Sequence, residues 1–168
     1  GATGYFNSPT PGYENGEPRA GLVATPEANH EHGFYETPFE LVLSSITEGA
    51  SIRYTTDGSK PTLTTGETYT APIPIAHTAV LQTTAFHKNW LPSKTLTRTY
   101  IFPEDTIRQT SLSAKNSGFP ERWDYLTADY DLDQRVTGLN GKDRYGSKYT
   151  HRLKHSLQSL PSISIVMD

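Results

Sequence analysis

Between Phe39 and Phe102 the apolar residues recur at every second position rather than every third or fourth. Phe39, Leu41 and Leu43 fall on one face of an extended chain, and Ser51-Ile52-Arg53-Tyr54-Thr55 alternates in the same way. Ala79 to His87 is apolar and β-branched, and Leu96, Arg98, Tyr100 and Phe102 alternate with Thr97, Thr99 and Ile101. Period two is the signature of a strand with one buried face. Ile73 and Ile75 flank Pro74. Proline lacks an N–H, so this strand is expected at a sheet edge. Short strands at spacings of roughly 8–12 residues, separated by Gly, Pro and Asp turns, predict a β-sandwich.

The pattern changes on both sides. Residues 1–20 are rich in Gly, Pro, Asn and Glu, with turn chemistry at Ser8-Pro9-Thr10-Pro11-Gly12 and Asn15-Gly16-Glu17-Pro18, and read as a linker or the tail of a preceding domain. The sandwich is expected over 21–103. Residues 104–147 mix polar and aromatic residues without period and are expected to form an irregular connector. Over 148–160, Leu153, Leu157 and Leu160 recur at i, i+4 and i+7, which predicts a helix stopped by Pro161. Ile163, Ile165 and Val166 then read as the strand of a following domain, whose core Leu153 and Leu157 would join. The expected fold class is all-β: an immunoglobulin-like sandwich with a mostly irregular C-terminal extension containing one short helix.

Composition narrows the function. The 168 residues carry a formal net charge of −3, so a nucleic-acid footprint is not expected. Apolar residues make up 34%, which is sparse for one fully packed domain. No run approaches the roughly 18 apolar residues of a membrane span. Cysteine is absent, which excludes a disulfide framework, a cysteine zinc site and a thiol nucleophile. The chain opens on Gly-Ala-Thr-Gly and ends inside an apolar run, so a fragment of a longer protein is expected.

The densest motif is Gly49-Ala50-Ser51-Ile52-Arg53-Tyr54-Thr55-Thr56-Asp57-Gly58-Ser59-Lys60-Pro61-Thr62. It reads as a strand running into a tight turn: Asp57-Gly58 supplies a positive φ and an Asx-type side-chain bond, Ser59 bonds nearby amides, and Pro61 fixes the exit. With Phe39 to Ser44, Tyr69-Thr70-Ala71-Pro72-Ile73, Leu81 to Phe86, Pro92-Ser93 and Thr97 to Tyr100, it resembles the fibronectin-type-III-associated module, a relative of the chitobiase/β-hexosaminidase C-terminal domain. The resemblance covers about 70 residues. It implies an immunoglobulin-like sandwich found beside glycoside hydrolases and in large extracellular proteins, and it implies no active site. Tyr5 to Gly12 is similar to the end of a lamin-tail-type domain. Phe119-Pro120, Trp123, Asp129 to Asp133 and Leu160 to Asp168 look like the lead-in to a CotH-type kinase-like domain. Large bacterial surface proteins of planctomycete type combine all three, and the kinase-like motifs would lie beyond Asp168.

Candidate chemistry is thin. Asp57 is accounted for as a turn former. Asp129, Asp131 and Asp133 have the i, i+2, i+4 spacing of the first ligands of a calcium loop, and calcium is the one cation they suggest. Such a loop needs Gly at its sixth position and Glu at its twelfth, and the chain has Gln134 and Asn140 there. His30 and His32, and His151 and His155, each lack a third ligand. No nucleophile elbow, phosphate loop or catalytic carboxylate pair is present. Trp90, in the expected loop after His87-Lys88-Asn89, is weighed between a sugar-stacking contact and a cap on the sandwich end. Trp123 is expected to pack the connector. The sequence therefore predicts a non-catalytic, secreted or cell-surface accessory module without a required cofactor. Its expected partners are the neighbouring domains of its own polypeptide, with polysaccharide as the alternative.

Overall fold

Alternation in the sequence becomes paired strands in the computed structural model, which describes residues 4–6, 10–14, 16–137 and 147–161. The described residues divide into two units, one comprising residues up to 33 together with 38–100, the other 34–37 together with 101–161.

The first unit carries the strands β1 (Glu27–Ala28), β2 (Gly33–Phe34), β3 (Phe39–Leu41), β4 (Leu43–Ser44), β5 (Ser51–Thr55), β6 (Glu67–Thr68), β7 (Ile73–Ile75), β8 (Ala79–Phe86) and β9 (Leu96–Ile101), of which β2 and β9 run across its boundary. A five-stranded sheet has the order β2-β9-β8-β5-β6, while β3 pairs with β7 and β1 with β4. The ladders between these strands are antiparallel, and isolated parallel bridges join Leu22 to Leu91 and Asp57 to Val80. Register places Ile52 opposite Ala85, Tyr54 opposite Thr83, and Ala79 opposite Tyr100, so these side chains share one face. That face is the core. Tyr100, Leu81 and Ala85 have no exposed surface, and Ile52 is buried. Leu41, Leu43, Ile73 and Ile75 are the buried positions of the shorter sheets. The Phe39 ring meets the Tyr100 ring edge-on at 5.2 Å, an aromatic contact joining β3 to β9. Pro74 is exposed in β7, opposite Glu40, in a two-stranded ladder where a missing N–H costs little.

Central β8 is buried on both faces from Leu81 to Ala85. Its second face carries Gln82 and Thr84, whose polar atoms need partners when water is removed. Gln82 Nε2 donates to Gly58 O at 2.8 Å, and the Thr84 and Thr95 hydroxyls lie 3.1 Å apart.

The second unit carries short elements within the expected connector, 104–147, and one longer helix after it. It contains α1 (Pro103–Arg108), α2 (Ser111–Asn116), the hairpin β10 (Arg122–Trp123) and β11 (Leu126–Thr127), α3 (Gln134–Thr137) and α4 (Ser147–Ser159). Local chemistry starts the short helices. Pro103 opens α1, Glu104 and Asp105 lie in its first turn, and Arg108 bridges back to Glu104 at 2.9 Å. Thr110 caps α2 through a reciprocal bond with Ser113. Six-residue helices are too short to display a 3.6-residue period, which is why the hydrophobic pattern hides them. Helix α4 matches the predicted 148–160 within a residue at either end, and Pro161 follows it. Leu153 and Leu157 are half-buried and Leu160 is exposed. The expected strand over 162–168, with Ile163, Ile165 and Val166, lies outside the described residues. Trp123, expected to pack the connector, is 62% exposed and meets Tyr130 edge-on at 6.1 Å. No described helix is long and apolar enough to cross a membrane.

Candidate functional site

The densest sequence motif folds into a turn that consumes its polar groups. Gly58 has a φ of +80°, a conformation that L side chains rarely adopt. Asp57 Oδ1 accepts from the Ser59 amide at 2.9 Å and from the Ser59 hydroxyl at 2.6 Å. These bonds, the hydroxyl's first, hold the Asp57 carboxyl below the ordinary carboxylate range. A carboxylate held ionised in this way is a poor proton donor near neutrality. Thr55 Oγ1 donates to Ser59 O, and Pro61 is buried behind the turn. Gly58 N donates to Val80 O at 2.9 Å, part of an isolated parallel bridge that ties the turn to β8.

The acidic triplet does not converge. Asp131 Oδ1 accepts from the amide and hydroxyl of Ser111 at the start of α2. Asp129 Oδ1 accepts from the Asp131 amide at 3.2 Å. Asp133 is gripped by Arg135, whose Nε and Nη2 donate at 2.9 and 2.6 Å; the guanidinium hydrogen bonds pull its carboxyl down to about 2. Among the described residues no group of three or more His, Asp or Glu side chains is placed to hold a metal ion. His30 instead stacks on Phe39 at 4.1 Å, and His155 is exposed on α4.

The other candidate, Trp90, sits at the end of the sandwich reached by the turn after β8. The Trp90 amide donates to His87 O, and Asn89 adopts a φ of +64°, which asparagine tolerates better than most residues. The indole is half-buried. One face lies directly on Gly21, where a methyl group would sit 2.7 Å from indole Cε3. The His87 ring meets it at 5.1 Å and 66°. Gly21 is held there by a ladder: Ala20 N donates to Asn89 O, Leu91 N to Gly21 O, and Val23 N to Leu91 O, at 2.8–3.0 Å. The capping role weighed for Trp90 is therefore visible in its contacts, and it coexists with partial exposure. The same indole forms part of the wall of a groove of about 630 Å³ with Arg19, Ser51, Phe86, Lys88 and Asn89. A second groove of about 570 Å³ shares Phe86 and Pro92 with the first and continues past Lys60, Thr62 and Lys94.

The pairing of residues 20–23 with 89–91 and the paired grooves were not read from the sequence. Gly21-Leu22-Val23 offers too short a run to show a period, and the groove residues come from four separate stretches.

Strands, register and turn define a class: an immunoglobulin-like, all-β module with its polar motif committed to structure. Residues 30–97 match the family model of the chitobiase/beta-hexosaminidase C-terminal domain. The match supports a chitobiase C-terminal-type, immunoglobulin-like module over those residues, and the flanking lamin-tail-like and CotH-like resemblances lie outside it. No curated protein and no solved structure matches the chain.

Proposed function

We propose that this chain is a non-catalytic accessory module of a larger extracellular protein, where it spaces and docks neighbouring domains. The observation that carries this reading is the use of the motif at Asp57, Gly58, Ser59 and Pro61. There the Asp57 carboxylate accepts from Ser59 within the turn and the Gly58 peptide groups bond to β8, within a segment that matches an accessory domain. Residues 1–20 and the segment from 148 onward are, in this reading, the junctions with lamin-tail-like and CotH-like neighbours. The test is turnover. The purified chain should hydrolyse no chromogenic glycoside and transfer no phosphate from ATP. Hydrolysis or transfer that Asp57→Asn abolishes would overturn the reading.

A second reading is favoured by one feature, the groove walled by Trp90. Aromatic side chains beside hydroxyl and amide groups suit sugar rings, whose C–H faces are apolar and whose rims are polar. Trp90 and Phe86, beside Ser51 and Asn89, provide that combination. Retention on a polysaccharide matrix that is lost in Trp90→Ala is the expected result.

A further inference from the structure

The two grooves at the Trp90 end have a charge opposite to that of the chain. The formal net charge is −3. Yet Arg19 and Lys88 line the first groove, Lys60 and Lys94 line the second, and among the described residues no Asp or Glu lines either. All four basic residues are exposed. None takes part in an ion pair among the described residues, whereas Arg98, Arg108, Lys115, Arg135 and Lys154 are each matched with a carboxylate. Four cations without a described carboxylate partner thus line two grooves that share Phe86 and Pro92.

We propose that this double groove binds an acidic polysaccharide, its anionic groups meeting Arg19 and Lys88 on one side of Phe86 and Lys60 and Lys94 on the other. The proposal rests on the carbohydrate-binding reading and specifies its ligand. Two separated pairs of cations suit a polymer that repeats its charge along its length better than a single small anion. Phe86, Pro92 and Trp90 supply apolar surface for ring faces between those charges, and Ser51 and Asn89 supply polar groups for hydroxyls. A polynucleotide shares the repeated charge. The carbohydrate-binding reading selects the polysaccharide, and single-stranded DNA is the arm of the test that separates the two.

The experiment is affinity electrophoresis of the full chain in gels containing polygalacturonate, dextran sulfate, neutral galactomannan or single-stranded DNA. Both acidic polysaccharides carry the required anion, and comparing them distinguishes carboxylate from sulfate as its source. Retardation by at least one, and by neither of the other two polymers, is expected. The double variant Lys60→Gln/Lys94→Gln should weaken that binding about tenfold, and raising salt from about 50 to 200 mM should weaken it further. Both lysines are exposed, so an unchanged thermal melt will verify folding. Binding that the double variant leaves unaltered, or that favours DNA, would overturn the proposal. Retardation by galactomannan alone would overturn it while leaving the carbohydrate reading intact. Retardation by no polymer would remove both.

Discussion

Gln82 Nε2 donates to the carbonyl oxygen of Gly58 at 2.8 Å, and the glutamine has no exposed surface. A buried amide in central β8 thereby holds the turn that follows β5. Gln82→Leu keeps the volume and leaves Gly58 O without this donor. It should lower stability by about 1–3 kcal/mol, read as a shift in the urea midpoint at unchanged slope.

The turn is constrained from the other side too. At Gly58 a β-carbon would lie 3.3 Å from Val80 Cγ1, in a backbone with φ +80°. Gly58→Val combines steric contact with a disfavoured conformation and should cost about 1–3 kcal/mol. Calorimetry on the purified variant tests it; a melt equal to that of the parent would mean that the turn adapts.

Alternation along β3 and β4 makes opposite forecasts for neighbours. Leu41 and Leu43 are buried, and Val42 between them is 41% exposed. Leu43→Ala should destabilise by about 2–5 kcal/mol through lost burial and the cavity left behind. Val42→Ala should fall within about 0.5 kcal/mol of the parent. Equal effects at the two positions would place the strand in the other register.

Tyr54 gives a pH dependence. Desolvation first, then the 2.8 Å hydrogen bond to Glu67 and its charge, push the Tyr54 phenol up to about 12. The folded value lies above the unfolded one of about 10, so folding favours the protonated phenol. Its stabilising contribution is complete below about pH 10 and disappears as pH climbs through the folded value. Tyrosinate absorbance in the native protein should show one phenol titrating near 12, and Glu67→Gln should bring that titration down by removing the charge.

The acidic triplet makes a last forecast. Asp131 is committed to the start of α2 through Ser111, and Asp133 to Arg135. Asp131→Ala should reduce helical ellipticity, and millimolar calcium should leave the parent's melting temperature where it is. A calcium-dependent rise that Asp131→Ala abolishes would show that the carboxylates can regroup around a cation.

How much of this was legible follows from the physics of each element. Strands with one buried face announce themselves through period two, so Phe39 to Ser44, Ser51 to Thr55 and Leu96 to Ile101 were readable directly. Helix α4 was readable because thirteen residues span enough turns for Leu153 and Leu157 to align. Helices α1 and α2 were not, because their six residues are specified by Pro103 and by the Thr110–Ser113 cap rather than by a stripe. The grooves were the least legible. Arg19, Lys60, Lys88 and Lys94 each look like ordinary surface residues in the chain, and only the meeting of their three stretches gathers them around Phe86.

The ladder from Ala20 to Val23 bears on where the module can be excised. The family match begins at residue 30, yet Val23 is 2% exposed and Gly21 lies on the indole of Trp90. A protein trimmed to the matched residues would lack the strap, strip one face of the indole and unroof the site that Val23 plugs. Its fresh apolar surface would adjoin the grooves, so a trimmed module would become adhesive at the very end where selective binding is to be measured. Cutting before residue 19 keeps that end native.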